Sequence, residues 1–189
     1  EIYTLSLHDA LPISTSRISS AVRDIPDFPA KGIVFKDITP ILQDINLFEE
    51  IIASIADEFK NVRIDKIAGI ESRGFIFAMP LAVKMKIPFI PIRKKGKLPA
   101  KTVSMSYKLE YGQADIEIHA DAVKKDEKIL LLDDLLATGG TTDAAVKLIE
   151  GIGGKVIAAA FVLELAFLKG REKIENKNID VFSLLKINQ

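Results

Sequence analysis

The segment DDLLATGGT at 133–141 gathers, within a few residues, groups that can hold an anion and groups that can hold hydroxyls. Gly139 and Gly140 let the main chain approach a ligand closely and turn its amides toward it, and Thr141 and Thr142 add hydroxyls at the start of a following helix. A phosphate monoester carries about −1.5 to −2 charge near neutrality, and a helix dipole contributes only about 0.3–1 kcal/mol, so amide hydrogen bonds from Ala137, Thr138, Gly139, Gly140 and Thr141 must do most of the holding. Asp133 and Asp134 would repel that phosphate. They suit instead the vicinal hydroxyls of a sugar, because carboxylates accept hydrogen bonds and hydroxyls donate them. An Asp pair alone is more often the solvated end of a strand; the attached ATGGT shifts the reading toward a ribose phosphate site.

Such a loop works only if it is held at the carboxyl end of a buried strand. The run at 129–132 (ILLL) is short, unbroken and apolar, as a strand covered on both faces requires. Thr141 or Thr142 is expected to cap a helix with Ala145, Leu148, Ile149 and Ile152 on one face, Gly153 and Gly154 end it, and 156–165 forms the next strand. Upstream, a helix is predicted after Asn46, with Glu49 completing a capping box and Phe48, Ile51, Ile52, Ile55 and Phe59 facing inward. A strand at 64–70, a helix opening at Arg73 and Gly74 with a kink at Pro80, and a strand at 89–92 follow. The residues at 93–112 lose any period and read as a mobile lid, and 114–120 alternates as a half-exposed strand. Strands alternating with helices imply an α/β fold with a mainly parallel sheet and right-handed crossovers. The Pro-rich stretch at 24–32 reads as an extended surface segment, and residues 1–15 show neither period nor cap and are set outside a single domain spanning 16–189.

The composition narrows the partners. Twenty-six basic residues balance 26 acidic ones, so nothing in the net charge points to nucleic acid or an anionic membrane. The absence of cysteine removes disulfides and thiolate metal sites and makes a cytoplasmic location the simplest expectation. No apolar run approaches the roughly 18–20 residues that span a bilayer, so a soluble protein is expected. His8 and His119 are isolated and make no zinc site, and GIGGK at 151–155 follows a helix and precedes a strand, the wrong order for a phosphate loop. Arg93, Lys94, Lys95 and Lys97 form a basic run that reads either as a solvated face or as a device for capturing an anionic substrate.

Taken with the apolar run before it, the 133–141 segment resembles the phosphoribosyl diphosphate motif of type I phosphoribosyltransferases. GIVFKDITP at 32–40, GIESRGF at 69–75, RKKGKLP at 93–99, YKLEYG at 107–112, Glu164 with Leu165, and LKGRE at 168–172 are similar, in the same order, to the adenine phosphoribosyltransferases of that family. The resemblance implies a mainly parallel central sheet flanked by helices, a small N-terminal hood, a flexible lid loop and a homodimer. It also implies a reaction in which adenine and phosphoribosyl diphosphate give AMP and diphosphate, with Mg²⁺ held through substrate and water rather than by direct protein ligands.

Site roles follow from the same resemblance. Glu71, Ser72 and Arg73, with a cis peptide joining Glu71 to Ser72, would face the diphosphate together with Arg93 and Lys97. Phe35 and Leu165 would sandwich adenine while the backbone around Val34 and Lys36 reads its amine. Glu110, flanked in the lid by Tyr107 and Tyr111, would be the general acid/base for the purine ring proton. A sensor that binds without turnover, or the same chemistry on guanine, hypoxanthine or xanthine, are the competing readings.

Overall fold

A strand buried on both faces sends alternate side chains into two different cores, and the central strands here do so. The computed structural model describes residues 15–108 and 113–188. Chain order is α1 (Thr15–Ala21), β1 (Arg23–Pro26), β2 (Val34–Asp37), α2 (Thr39–Gln43), α3 (Ile45–Glu58), β3 (Lys66–Ile70), α4 (Arg73–Met85), β4 (Phe89–Lys94), β5 (Thr102–Lys108), β6 (Gln113–His119), β7 (Lys128–Leu136), α5 (Gly140–Gly151), β8 (Lys155–Leu165), α6 (Gly170–Glu175) and β9 (Asp180–Ile187). One seven-stranded sheet has the order β5-β6-β4-β3-β7-β8-β9. Strands β4, β3, β7, β8 and β9 pair in parallel, and β6 joins β4 and β5 in antiparallel register. Leu130 and Leu132 of β7 pack into the core that holds Ile51 and Ile55 of α3 and Phe77 and Leu81 of α4. Ile129 and Leu131 face the opposite core, against Ala145, Leu148 and Ile149 of α5. The expected α/β architecture is present. Among the described residues, no helix is long and apolar enough to cross a membrane.

Several local expectations are corrected. The stretch at 93–112 is not a structureless loop: β4 continues to Lys94, and β5 pairs along its length with β6, from Thr102↔His119 to Lys108↔Gln113. An edge strand with one wet face accommodates Lys, Ser and Tyr, which is why it lacked an apolar signature. Residues 109–112, which include Glu110 and Tyr111, lie outside the described residues. Strand β6 is less exposed than its alternation suggested, since Ile116, Glu117 and Ile118 are all buried. Helix α3 begins at Ile45, capped by Asp44, whose side chain accepts from the Leu47 amide at 3.0 Å, so Asn46 lies within the helix. Helix α5 is capped by Gly139 rather than by a threonine, because φ is +74° there and a left-handed cap favours glycine. Strand β9, the far edge of the sheet, was not read from the sequence.

The Pro-rich segment is more ordered than an extended connection. Strands β1 and β2 form an antiparallel hood, with Arg23↔Asp37 and Pro26↔Val34 in register. The Asp37 carboxylate ties the hood to α2: it accepts from the Thr39 amide at 2.9 Å and from Arg23 Nη2 at 2.6 Å. These bonds, those from Thr39 first, pull its pKa down from 3.8 to about 2. A depressed carboxylate stabilises the fold above its unfolded pKa and loses that effect as pH falls through the folded value. The hood's tie is therefore complete above about pH 4 and lost toward pH 2. Carboxyl ¹³C titration of Asp37 should give a midpoint near 2, and a midpoint near 3.8 would mean that the bonds do not hold in solution.

Candidate active site

The carboxyl ends of the parallel strands deliver Asp133, Asp134, Glu71, Ser72, Arg93 and Leu165 to one end of the sheet. Asp133 and Asp134 lie within β7 near its carboxyl end, and α5 begins six residues beyond Asp134. Glu71 and Ser72 join β3 to α4, which starts at Arg73; Arg93 is near the end of β4, and Leu165 ends β8. The peptide between Glu71 and Ser72 is cis, as expected.

Asp134 is almost fully buried, at 3% exposure. Its Oδ2 lies 3.0 Å from Arg73 Nε as an ion pair, yet it makes no hydrogen bond among the described residues. The charge is compensated while the lone pairs are not, which leaves an acceptor suited to a hydroxyl donor. Asp133 Oδ1 accepts from the Asp134 amide at 2.9 Å. Burial, and then the negative neighbour Asp134, push the Asp133 carboxyl well above the ordinary range. Burial also raises Asp134, against the pull of Arg73. The close approach of α4 to β7 depends on Gly74: a Cβ there would fall 2.9 Å from both Asp133 Oδ1 and the Leu132 carbonyl oxygen.

Arg73 also holds the hood. Its guanidinium carbon lies 5.0 Å from the centroid of Phe35, whose ring meets Phe28 edge-on at 5.2 Å. Phe35, Arg73 and Asp134 thus form one contact chain from hood to strand. Val34 is exposed, and Lys36 reaches Asp24 within the hood at 2.7 Å. Leu165 is buried beside its register partner Ile187, one residue past the Glu164 that pairs with Leu136. Tyr107 packs on β5 against the core beneath α5.

The basic run divides. Arg93 donates Nε and Nη2 to the two oxygens of Glu71, each at 3.0 Å, and Nη1 to the Lys97 carbonyl at 3.0 Å. This fork holds Glu71 below the usual carboxylate range. Lys94 and Lys97 project into solvent, and their ammonium groups have no ion pair among the described residues.

At the 137–141 loop, Gly140 and Thr141 open α5, and the first amides of a helix have no partner within it. The backing of this loop was missed in the sequence. A Cβ on Gly170 would stand 2.1 Å from the Ala137 carbonyl oxygen and 2.9 Å from the Gly139 nitrogen, so the start of α6 abuts the loop backbone to backbone. Arg171 locks that junction: it grips buried Glu164 with Nε (2.9 Å) and Nη2 (2.6 Å) and donates Nη1 to Glu175 and the Val181 carbonyl. The only available signal was the glycine inside LKGRE. Gly170→Ala is expected to displace the loop and weaken calorimetric binding of ribose 5-phosphate at least about tenfold; unchanged affinity would separate the loop from the phosphate.

With this geometry in place, comparisons with known proteins converge. Residues 36–189 match the family model described as phosphoribosyl transferase domain. A protein of Halothermothrix orenii named adenine phosphoribosyltransferase is 56% identical over 165 residues, covering 87% of this chain and 96% of that protein. The crystal structure of adenine phosphoribosyltransferase from Thermoanaerobacter pseudethanolicus superposes with a TM-score of 0.88 at 47% identity, over 92% of this chain and 100% of that one. The Giardia lamblia enzyme complexed with 9-deazaadenine gives a TM-score of 0.89 at 36% identity, over 94% of this chain and 99% of that one. This chain belongs to the phosphoribosyltransferase family, on its adenine phosphoribosyltransferase branch.

Proposed function

We propose that this chain transfers the phosphoribosyl group of phosphoribosyl diphosphate to N9 of adenine, releasing diphosphate and giving AMP in purine salvage. The observation that carries this reading is the buried, ion-paired and unbonded Oδ2 of Asp134, set just before a glycine-turned amide loop. A ribose 5-phosphate has the two features such a pair requires: hydroxyls for Asp133 and Asp134, and a phosphate for the amides of 137–141. Fixing the sugar at both ends leaves C1 directed toward the basic side of the site.

Bond breaking at C1 sends the electron pair to the departing diphosphate while N9 of adenine supplies the new bond. Negative charge therefore grows where Arg73 and Lys97 present cations. Arg93, joined to Glu71, orients this side by fixing the loop that leads into Arg73. Mg²⁺ would suit this site, where Asp133 and Asp134 would supply negative charge and the substrate hard oxygen donors. When bound, it neutralises charge on the leaving group.

Adenine would lie between Phe35 and Leu165, with the main chain at Val34 and Lys36 reading the amine; that the Giardia lamblia relative is complexed with 9-deazaadenine supports a purine as the base. Glu110, in sequence between β5 and β6 and followed by Tyr111, would take the ring proton as N9 bonds to C1. A homodimer is supported by the exposed apolar row Ile76, Met79 and Val83 on one side of α4. A cytoplasmic location fits a substrate too highly charged to cross a bilayer unaided.

The primary test is AMP formation from adenine, phosphoribosyl diphosphate and Mg²⁺, with hypoxanthine and guanine as competitors. Turnover with adenine is expected, and binding without product would favour a sensor. Glu110→Gln should lower kcat by about 10²- to 10⁴-fold with substrate binding retained, and wild-type turnover in that variant would remove Glu110 from the mechanism.

A further inference from the structure

Glu117 has no ligand role in the mechanism above, yet it is buried to 4% exposure in the middle of β6. An ionised carboxylate at that depth needs hydrogen bonds, and it has them. Oε1 accepts from the Lys97 amide at 2.9 Å and the Leu98 amide at 2.8 Å, and Oε2 accepts from the Thr102 hydroxyl at 3.2 Å. The amides of Leu98, Gly96 and Lys97 together hold its pKa below the usual value. Gly96 has φ of +82°, the left-handed turn that lets successive N–H groups converge on one point. The 96–98 backbone is thus an anion nest already filled by the protein's own carboxylate.

This internal filling decides which way the turn presents its charge. With the amides committed inward, the ammonium groups of Lys94 and Lys97 face solvent, and Lys95 leans toward Asp115 at 3.8 Å. The carbonyl side of the turn is held as well. Arg93, the register partner of Glu117, donates to the Lys97 carbonyl at 3.0 Å while its fork holds Glu71. Glu71 in turn accepts from the Lys94 amide at 3.0 Å and stands two residues before Arg73. An unbroken set of bonds therefore runs from Thr102 and Glu117 on the β5–β6 hairpin, through the basic turn, to the loop that carries Arg73.

We propose that Glu117 is a positioning residue for the diphosphate side of the reaction, shaping the 94–98 turn and registering it against the 71–73 loop. The inference rests on the phosphoribosyl transfer reading and adds to it a residue that never touches substrate. Its effect belongs to geometry: what matters is an acceptor at the right reach, and the adenine subsite on the hood and β8 is spared.

Steady-state kinetics of the full chain with Glu117→Gln, Glu117→Asp and Glu117→Ala test this. Gln keeps a carbonyl oxygen for the two amides and an NH₂ group for the Thr102 hydroxyl, so its constants should stay within about twofold of wild type. Asp keeps the charge but retracts it by about 1.5 Å, one C–C bond, and Ala removes it. Both should raise KM for phosphoribosyl diphosphate about tenfold, with KM for adenine and kcat within about twofold. If Ala fails to fold, the Gln and Asp pair decides. An unchanged KM for phosphoribosyl diphosphate in Asp, with only a lower thermal midpoint, would overturn the proposal, as would a wild-type-like Asp beside an impaired Gln. Calorimetric binding of inorganic diphosphate separates the two levels. A wild type that makes no AMP overturns the proposed activity, whereas diphosphate affinity that falls in Asp and not in Gln still supports the role of Glu117.

Discussion

Adjacent carboxylates at the end of a central strand are costly neighbours, and the site is organised around keeping them there. An ionised group withdrawn from water loses several kcal/mol of solvation even after relaxation, and Asp133 and Asp134 also repel each other. Arg73 offsets part of that cost at 3.0 Å from Asp134, and it can do so only because Gly74 lets the first turn of α4 press against β7. Phe35 then covers the guanidinium from the hood. The hood, α4 and β7 are held together by one charge compensation that stops short of hydrogen-bond satisfaction. On the reading proposed above, a sugar hydroxyl would donate the hydrogen bond that the Arg73 ion pair does not supply to Asp134 Oδ2.

The remaining parts of the site obey a related rule, in which main-chain geometry is fixed from behind by buried ion pairs and close backbone contacts. Gly139 and Gly170 meet without side chains between them, and the Arg171–Glu164 fork anchors the start of α6 to the end of β8. On the other flank, the Arg93–Glu71 fork and the Glu117 carboxylate hold a turn whose lysines remain outward. Bidentate guanidinium contacts suit this purpose, since they fix direction as well as distance. On the proposed reading, amides would serve the phosphate that stays put and cations the diphosphate that must leave with growing charge.

The parts legible in the sequence were those where a single physical demand dominates. The unbroken ILLL run demands burial on both faces and lies within β7, but β7 runs on through Leu136, so 133–136, read as the start of the loop, are strand and only 137–139 connect it to α5. The β5 strand was illegible because an edge strand needs no apolar face, and its Lys, Ser and Tyr content reads equally well as a loop. Glu117 was passed over because a charged residue between Ile116 and Ile118 looks like the wet side of an alternating strand; only the fold reveals the amides that solvate it. Arg93 looked like a free cation because nothing local indicates that Glu71, 22 residues earlier, lies within reach. Gly170 is the same kind of case, since its need for a missing Cβ is set by Ala137 and Gly139, far away in sequence.

The most direct measurement of the central claim is an AMP titration of ¹⁵N-labelled protein followed through backbone amide shifts. The largest saturable changes should fall on Thr138, Gly139, Gly140 and Thr141, with Asp134 moving at the same ligand concentrations, because one molecule spans the amide loop and the acidic pair. Saturable binding that leaves those amides unmoved while another surface responds would contradict the account.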